Sequence, residues 1–158
     1  MGFHLAQYNI GNLRADQDDP LVADFMNALD KVNAAGDASD GFVWRYEDES
    51  GAAVETKLYD NPRTIVNFTV WESIEQLRAF AYQGLHLDYF RRRSEWIEQH
   101  EEASAVLWWT VPGEIPAVEE GQTRLDYLRT HGATALAFGF RDAQRFEAIT
   151  VATDSLVF

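Results

Sequence analysis

The stretch IVNFTVWESIEQLRAFAYQGLHLDYFRRRSEW, from Ile65 to Trp96, constrains the fold more than any other part of the chain. It opens with strand-like alternation, turns at Ser73 with Gln76 at capping-box spacing, and continues at helical spacing to Gly84. Inside a helix a glycine costs roughly 1 kcal/mol relative to alanine, so a bend or break is expected there. Successive strand residues point to opposite faces, which places Ile65, Asn67, Thr69 and Trp71 together. That face is too polar for ordinary core and too apolar for ordinary surface. Such a mixture suggests a lined cavity.

The rest of the chain supplies partners for this unit. Phe3 to Leu13 reads as a first strand, with Leu5, Gln7 and Asn9 on one face and Ala6, Tyr8 and Ile10 on the other. Asp19 with Pro20 opens an amphipathic helix through Leu21, Phe25, Leu29 and Val32, expected to end before Gly36. Phe42 to Tyr46 and Thr64 to Val70 read as strands, with Ala53 to Tyr59 as an edge segment between them. Beyond Gly84 a second helical piece is expected through Leu87, Phe90 and Ile97, then a strand from Ala105 to Val111 and a helix from Val118 to Arg129. Apolar runs at Ala135 to Phe140 and Ile149 to Val151 complete the chain.

This order predicts an α+β, ferredoxin-like βαββαβ fold with an antiparallel sheet and a C-terminal helical extension. No linker divides the chain, so residues 1–113 form the core and 114–158 an extension of the same domain. The neighbours Trp108 and Trp109 must point to opposite faces, so both faces need cover. If the helices pack on the face of Tyr8, Val66 and Phe68, a second copy of the sheet covers the other face, giving a homodimer.

Composition narrows the functions. Lys and Arg total 13 against 26 Asp and Glu, a formal net charge of −13 that opposes nucleic acid as a general partner. The run Arg91, Arg92, Arg93 reads first as a solvated helix face and second as an anion site. The absence of cysteine excludes disulfides, thiolate catalysis and thiolate zinc sites. HExxH, GxGxxG, P-loop and GxSxG patterns are missing, and Asp16, Asp18 and Asp19 lack the glycine and glutamate of a calcium loop. No metal or cofactor is therefore expected. Without a long apolar stretch or a leader, no membrane partner and a cytoplasmic location are expected.

Candidate site residues follow from the polar face. His86 titrates near neutrality and comes just after the helix break, which makes it the candidate acid–base group. Asn9 and Asn67 are candidate donors to a developing oxyanion. Trp71, Thr69, Gln7 and Arg45 are candidates to bind a small hydrophobic or aromatic molecule. A hydrated sheet-to-sheet interface would account for the same amides. His4, His100 and His131 have weaker cases, the last two being placed near helix ends, where the dipole explains them.

LAQYNIGNLRA (Leu5 to Ala15), DGFVWR (Asp40 to Arg45), VNFTVWESIEQLRAFAY (Val66 to Tyr82), HLDYFRRRSEW (His86 to Trp96) and VLWWTVPG (Val106 to Gly113) together resemble the DUF3291 proteins. That family of uncharacterised function lies within the dimeric α/β-barrel superfamily, whose relatives include antibiotic-biosynthesis monooxygenases and haem-degrading monooxygenases. The resemblance implies the dimeric barrel. It also makes Asn9, Trp71 and His86 similar in order to an asparagine, tryptophan and histidine of the haem-degrading relatives, with a longer segment before His86. Three functions follow as expectations: a cofactor-independent monooxygenase acting on a small aromatic or polycyclic metabolite, a non-enzymatic small-molecule-binding or structural dimer, or a haem-binding or haem-degrading monooxygenase.

Overall fold

The computed structural model describes residues 2–48 and 58–146. Four strands, β1 (His4–Asn12), β2 (Phe42–Arg45), β3 (Thr64–Trp71) and β4 (Ala105–Thr110), make one sheet in the order β2-β3-β1-β4. Each neighbouring pair is antiparallel. Helices α1 (Ala23–Asp37), α2 (Ile74–Ala81), α3 (Gly84–Arg91) and α4 (Val118–His131) complete the fold. The sheet order and the βαββαβ connection are those of the ferredoxin-like fold read from the sequence.

Local chemistry sets the element ends. Asp19 Oδ1 accepts from the Leu21 N–H at 2.8 Å, capping a short 3-10 turn at Pro20–Val22 that leads into α1. Ser73 Oγ accepts from the Gln76 N–H and donates to Gln76 Oε1, so α2 starts at the expected capping box. The break falls where Gly84 was expected to put it: α2 stops at Ala81, and Gly84 opens α3 at φ +57°.

Some boundaries differ from expectation. α1 runs through Gly36 to Asp37, and Gly36 lies against the Phe80 ring, where a methyl group would sit 3.3 Å from ring carbons. Ile97 is not helical; it pairs as an isolated bridge with Leu13. The run around Phe138 forms a bridge to Leu107 at the outer edge of β4. Residues 53–57 of the expected edge segment, and Ile149 to Val151, lie outside the described residues.

The covering of the sheet corrects the expectation most. Helices lie on both faces, not one. α4 packs its Leu125, with Val118 and Leu128, on the face of Ala6, Tyr8, Phe68, Val70 and Trp108. The helices α1, α2 and α3 instead cover the opposite face, that of Leu5, Gln7, Asn9, Asn67, Thr69 and Trp71. Gly121 is what lets α4 come so close: a Cβ there would meet Tyr8 ring carbons at 2.2 Å. The polar face given to a second sheet is thus roofed by α1–α3 of the same chain, and the face given to the helices is covered by α4. The segment after α4 then turns round the β4 edge, and its Phe138, Phe140 and Phe146 join Trp109 on the helix-layer side.

Candidate functional site

Between the sheet and the α1–α3 layer lies a cleft of about 970 Å³. That is at the upper end of the roughly 300–1,000 Å³ usual for small-molecule sites. Its floor is the polar strand face, and its roof is built by Phe25, Leu29 and Val32 of α1 with Phe80, His86 and Phe90 of α2 and α3. Gln7, Asn9, Arg45, Asn67, Thr69, Trp71 and His86 all line it.

The floor is ordered by strand register. Leu5 faces Trp71, Gln7 faces Thr69, and Asn9 faces Asn67. Trp71 Nε1–H donates to Thr69 Oγ1 at 2.9 Å, and Thr69 donates on to Gln7 Oε1 at 3.0 Å. These three side chains are buried. The Gln7 carbonyl oxygen is engaged, so the amide nitrogen is the end free to donate. Asn9 and Asn67 are half-buried cross-strand neighbours whose carboxamides make no side-chain bond among the described residues. From Trp71 to Asn67 is four strand residues, roughly 13 Å at about 3.3 Å each.

His86 owes its orientation to the helix break. The end of a helix leaves carbonyls without partners. One of them, Ala81 O of α2, lies 2.8 Å from His86 Nδ1. A carbonyl only accepts, so Nδ1 carries the proton and Nε2 keeps its lone pair. Burial lowers the His86 pKa below its ordinary value, outweighing the opposing bond to Ala81. The ring is therefore neutral at pH 7, with Nε2 available as a base.

Trp71 lines the cleft, yet its ring already has company. Phe80 stacks on it at 5.3 Å between centroids, and Phe42 meets it edge-on at 5.6 Å. The aromatic row continues from Phe80 to His86, tilted by 52° at 4.9 Å, and from His86 to Phe90, near-parallel at 6.4 Å. Tyr82 meets both Phe90 and Phe140 edge-on, so the segment after α4 helps frame the same aromatic end.

Arg45 also lines the cleft, held by other groups. Its Nε and one Nη bond both oxygens of Asp37 at 3.1 Å, and Glu47 lies 2.8 Å away. The Asp37 bond raises the Arg45 pKa above its ordinary value. Its Nη1 is buried without a hydrogen-bond partner among the described residues.

The sequence reading missed Phe80 and Phe90, which looked like plain helix-core residues, and Arg14; Arg91 and Arg93, read second as an anion site, also line the cleft. His100 lies in a loop that lines the cleft, not at a helix end, and its Nε2 is buried without a hydrogen-bond partner among the described residues. Among the described residues no group of three or more His, Asp or Glu is arranged to hold a metal. No helix among them is long and apolar enough to cross a membrane.

The sequence matches the Domain of unknown function DUF3291 over residues 4–153. The chain belongs to the DUF3291 family. No curated protein matches it. Among solved structures, SnoaB, a cofactor-independent oxygenase from Streptomyces nogalater, is 15% identical with a TM-score of 0.47, covering 73% of this chain and 99% of that one. NE2512, a protein of unknown function from Nitrosomonas europaea, is 12% identical at a TM-score of 0.49, over 73% and 96% of the two chains. Rv0793 from Mycobacterium tuberculosis is 16% identical at 0.46, over 72% and 99%.

Proposed function

We propose that this DUF3291 protein is a cofactor-independent monooxygenase acting on an extended, electron-rich aromatic substrate. One observation carries the reading: a neutral His86, its Nδ1–H fixed by Ala81 O, shares a cleft with the carboxamides of Asn9 and Asn67, which make no side-chain bond among the described residues. A base and a pair of amide donors are what a carbon acid needs to lose a proton and spread the resulting charge onto oxygen.

The span of roughly 13 Å between the Trp71 and Asn67 levels favours a fused-ring substrate over a single ring. Such a substrate lies along the floor, its oxygen toward Asn9 and Asn67 and its acidic CH₂ toward His86. Nε2 takes one C–H proton and leaves a resonance-stabilised carbanion. The carbanion gives two electrons to dioxygen, in single-electron steps, as the C–O bond forms. The imidazolium returns its proton to the peroxide, giving a hydroperoxide and restoring neutral His86. Loss of water from CH–OOH gives the ketone, so one oxygen atom stays in the product and the other leaves in water. Trp71 acts here by holding Phe80, and through it the imidazole, in place.

Oxygen uptake with a panel of anthrone-like and phenolic fused-ring compounds tests this. Turnover is expected to fall at least about 100-fold in His86→Ala and about tenfold or more in Asn9→Ala/Asn67→Ala. The rate of the native protein should rise with pH through an ionisation below 6.5, a limb absent from the His86 variant. Folding is checked by circular dichroism. Unchanged turnover in correctly folded variants overturns the assignment. Tight binding of these compounds without oxygen uptake makes the protein a binding module instead.

A further inference from the structure

We infer that the molecule taken up by the cleft is a flat aromatic anion, its charged end held by Arg91 and Arg93 beyond the aromatic stack. This rests on the proposed aromatic site and adds the charge of its ligand. The chain carries 26 acidic residues against 13 basic ones, so carboxylates are in ample supply for its arginines. Arg45, Arg63, Arg92, Arg124, Arg129 and Arg145 each pair with a carboxylate. Five arginines pair with none among the described residues: Arg78 and Arg141 lie outside the cleft, whereas Arg14, Arg91 and Arg93 line it. The carboxylates described in the lining are Asp37, which is bonded to Arg45, and Glu98. The cleft is thus locally positive within an acidic protein.

The placement of the triplet sharpens the point. Arg92, between the other two, turns to Asp24 and Glu95 and does not line the cleft. Arg93 lies over the Phe90 ring, 4.0 Å from its centroid, and donates to Phe90 O at 2.9 Å. Phe90 is the outer member of the stack that runs through His86 and Phe80 to Trp71. The aromatic row therefore ends at a guanidinium with donors to spare, which suits a planar carboxylate or phenolate. The overall charge of −13 does not oppose contact binding, since exposed charges beyond a Debye length of about 8 Å are screened.

Fluorescence titration of the full chain with anthracene-2-carboxylate and with 2-(hydroxymethyl)anthracene separates charge from ring. The carboxylate is expected to bind about tenfold or more tighter than the neutral probe, with the preference shrinking as salt is added. Arg91→Gln/Arg93→Gln is expected to remove the preference, and Arg92→Gln to keep it. Equal binding of the two probes to the native protein, or a preference that survives the double substitution, overturns the inference while leaving the enzyme reading intact. Failure of both probes to bind the native protein overturns the aromatic site and the inference together. Oxygen uptake in His86→Ala reports on the enzyme reading alone.

Discussion

The two faces of the sheet are built from the same strands yet are closed in different ways. On the α4 side, Tyr8, Phe68 and Trp108 interlock: Phe68 meets Tyr8 edge-on at 5.6 Å, Trp44 edge-on at 5.2 Å, and Trp108 at 5.6 Å. The Tyr8 hydroxyl bonds that of Tyr59 at 2.8 Å, so that polar atom is satisfied inside the core. On the α1–α3 side, amides replace rings at the centre of the floor, and the broken α2–α3 pair arches over them. Face closure in this fold depends on what each helix layer brings. A continuous helix with a glycine at the contact seals one side, whereas a helix interrupted at Gly84 leaves room on the other.

Three substitutions probe that contrast, beginning with the most damaging. Phe68→Ala is expected to cost about 4 kcal/mol in urea unfolding, since a fully buried ring is removed from the sealed side. A loss below about 1 kcal/mol would mean that this side is not close-packed. Gly121→Ala is expected to destabilise by about 2 kcal/mol, although alanine favours a helix by roughly 1 kcal/mol, because the new methyl collides with the Tyr8 ring. A gain in stability would show that α4 can shift outward freely. On the open side, Asn67→Leu should raise stability by up to about 1 kcal/mol, covering apolar surface where a carboxamide stands unbonded, while weakening fused-ring binding. Destabilisation there would imply that the Asn67 amide has a structural duty.

Much of this was legible in the residues. Alternation placed Gln7, Asn9, Asn67, Thr69 and Trp71 on one face, and Gly84 marked the break that orients His86. Which helices would cover that face was not legible. Trp108 and Trp109 make both sides of β4 apolar, and period-two patterning divides residues between faces without saying what lies above each. A cavity under the chain's own helices and an interface between two sheets leave the same polar pattern in a strand. Arg91 and Arg93 took an anion site only as their second reading for a related reason. A basic triplet at a helix end looks solvated until the fold shows that only its middle member has acidic neighbours. The end of α1 was misplaced because Gly36 reads as a terminator, and only its contact with Phe80 reveals a tight crossing.

The bridge between Leu107 and Phe138 has a wider consequence. It occupies Leu107's outward N–H and C=O, bonded to Phe138 at 2.7 and 3.0 Å. An unguarded margin of a sheet invites foreign strands to join it, which is a route to runaway polymerisation. Here the chain lays down its own stub of strand at that border, leaving an intruding peptide no continuous row to zip against.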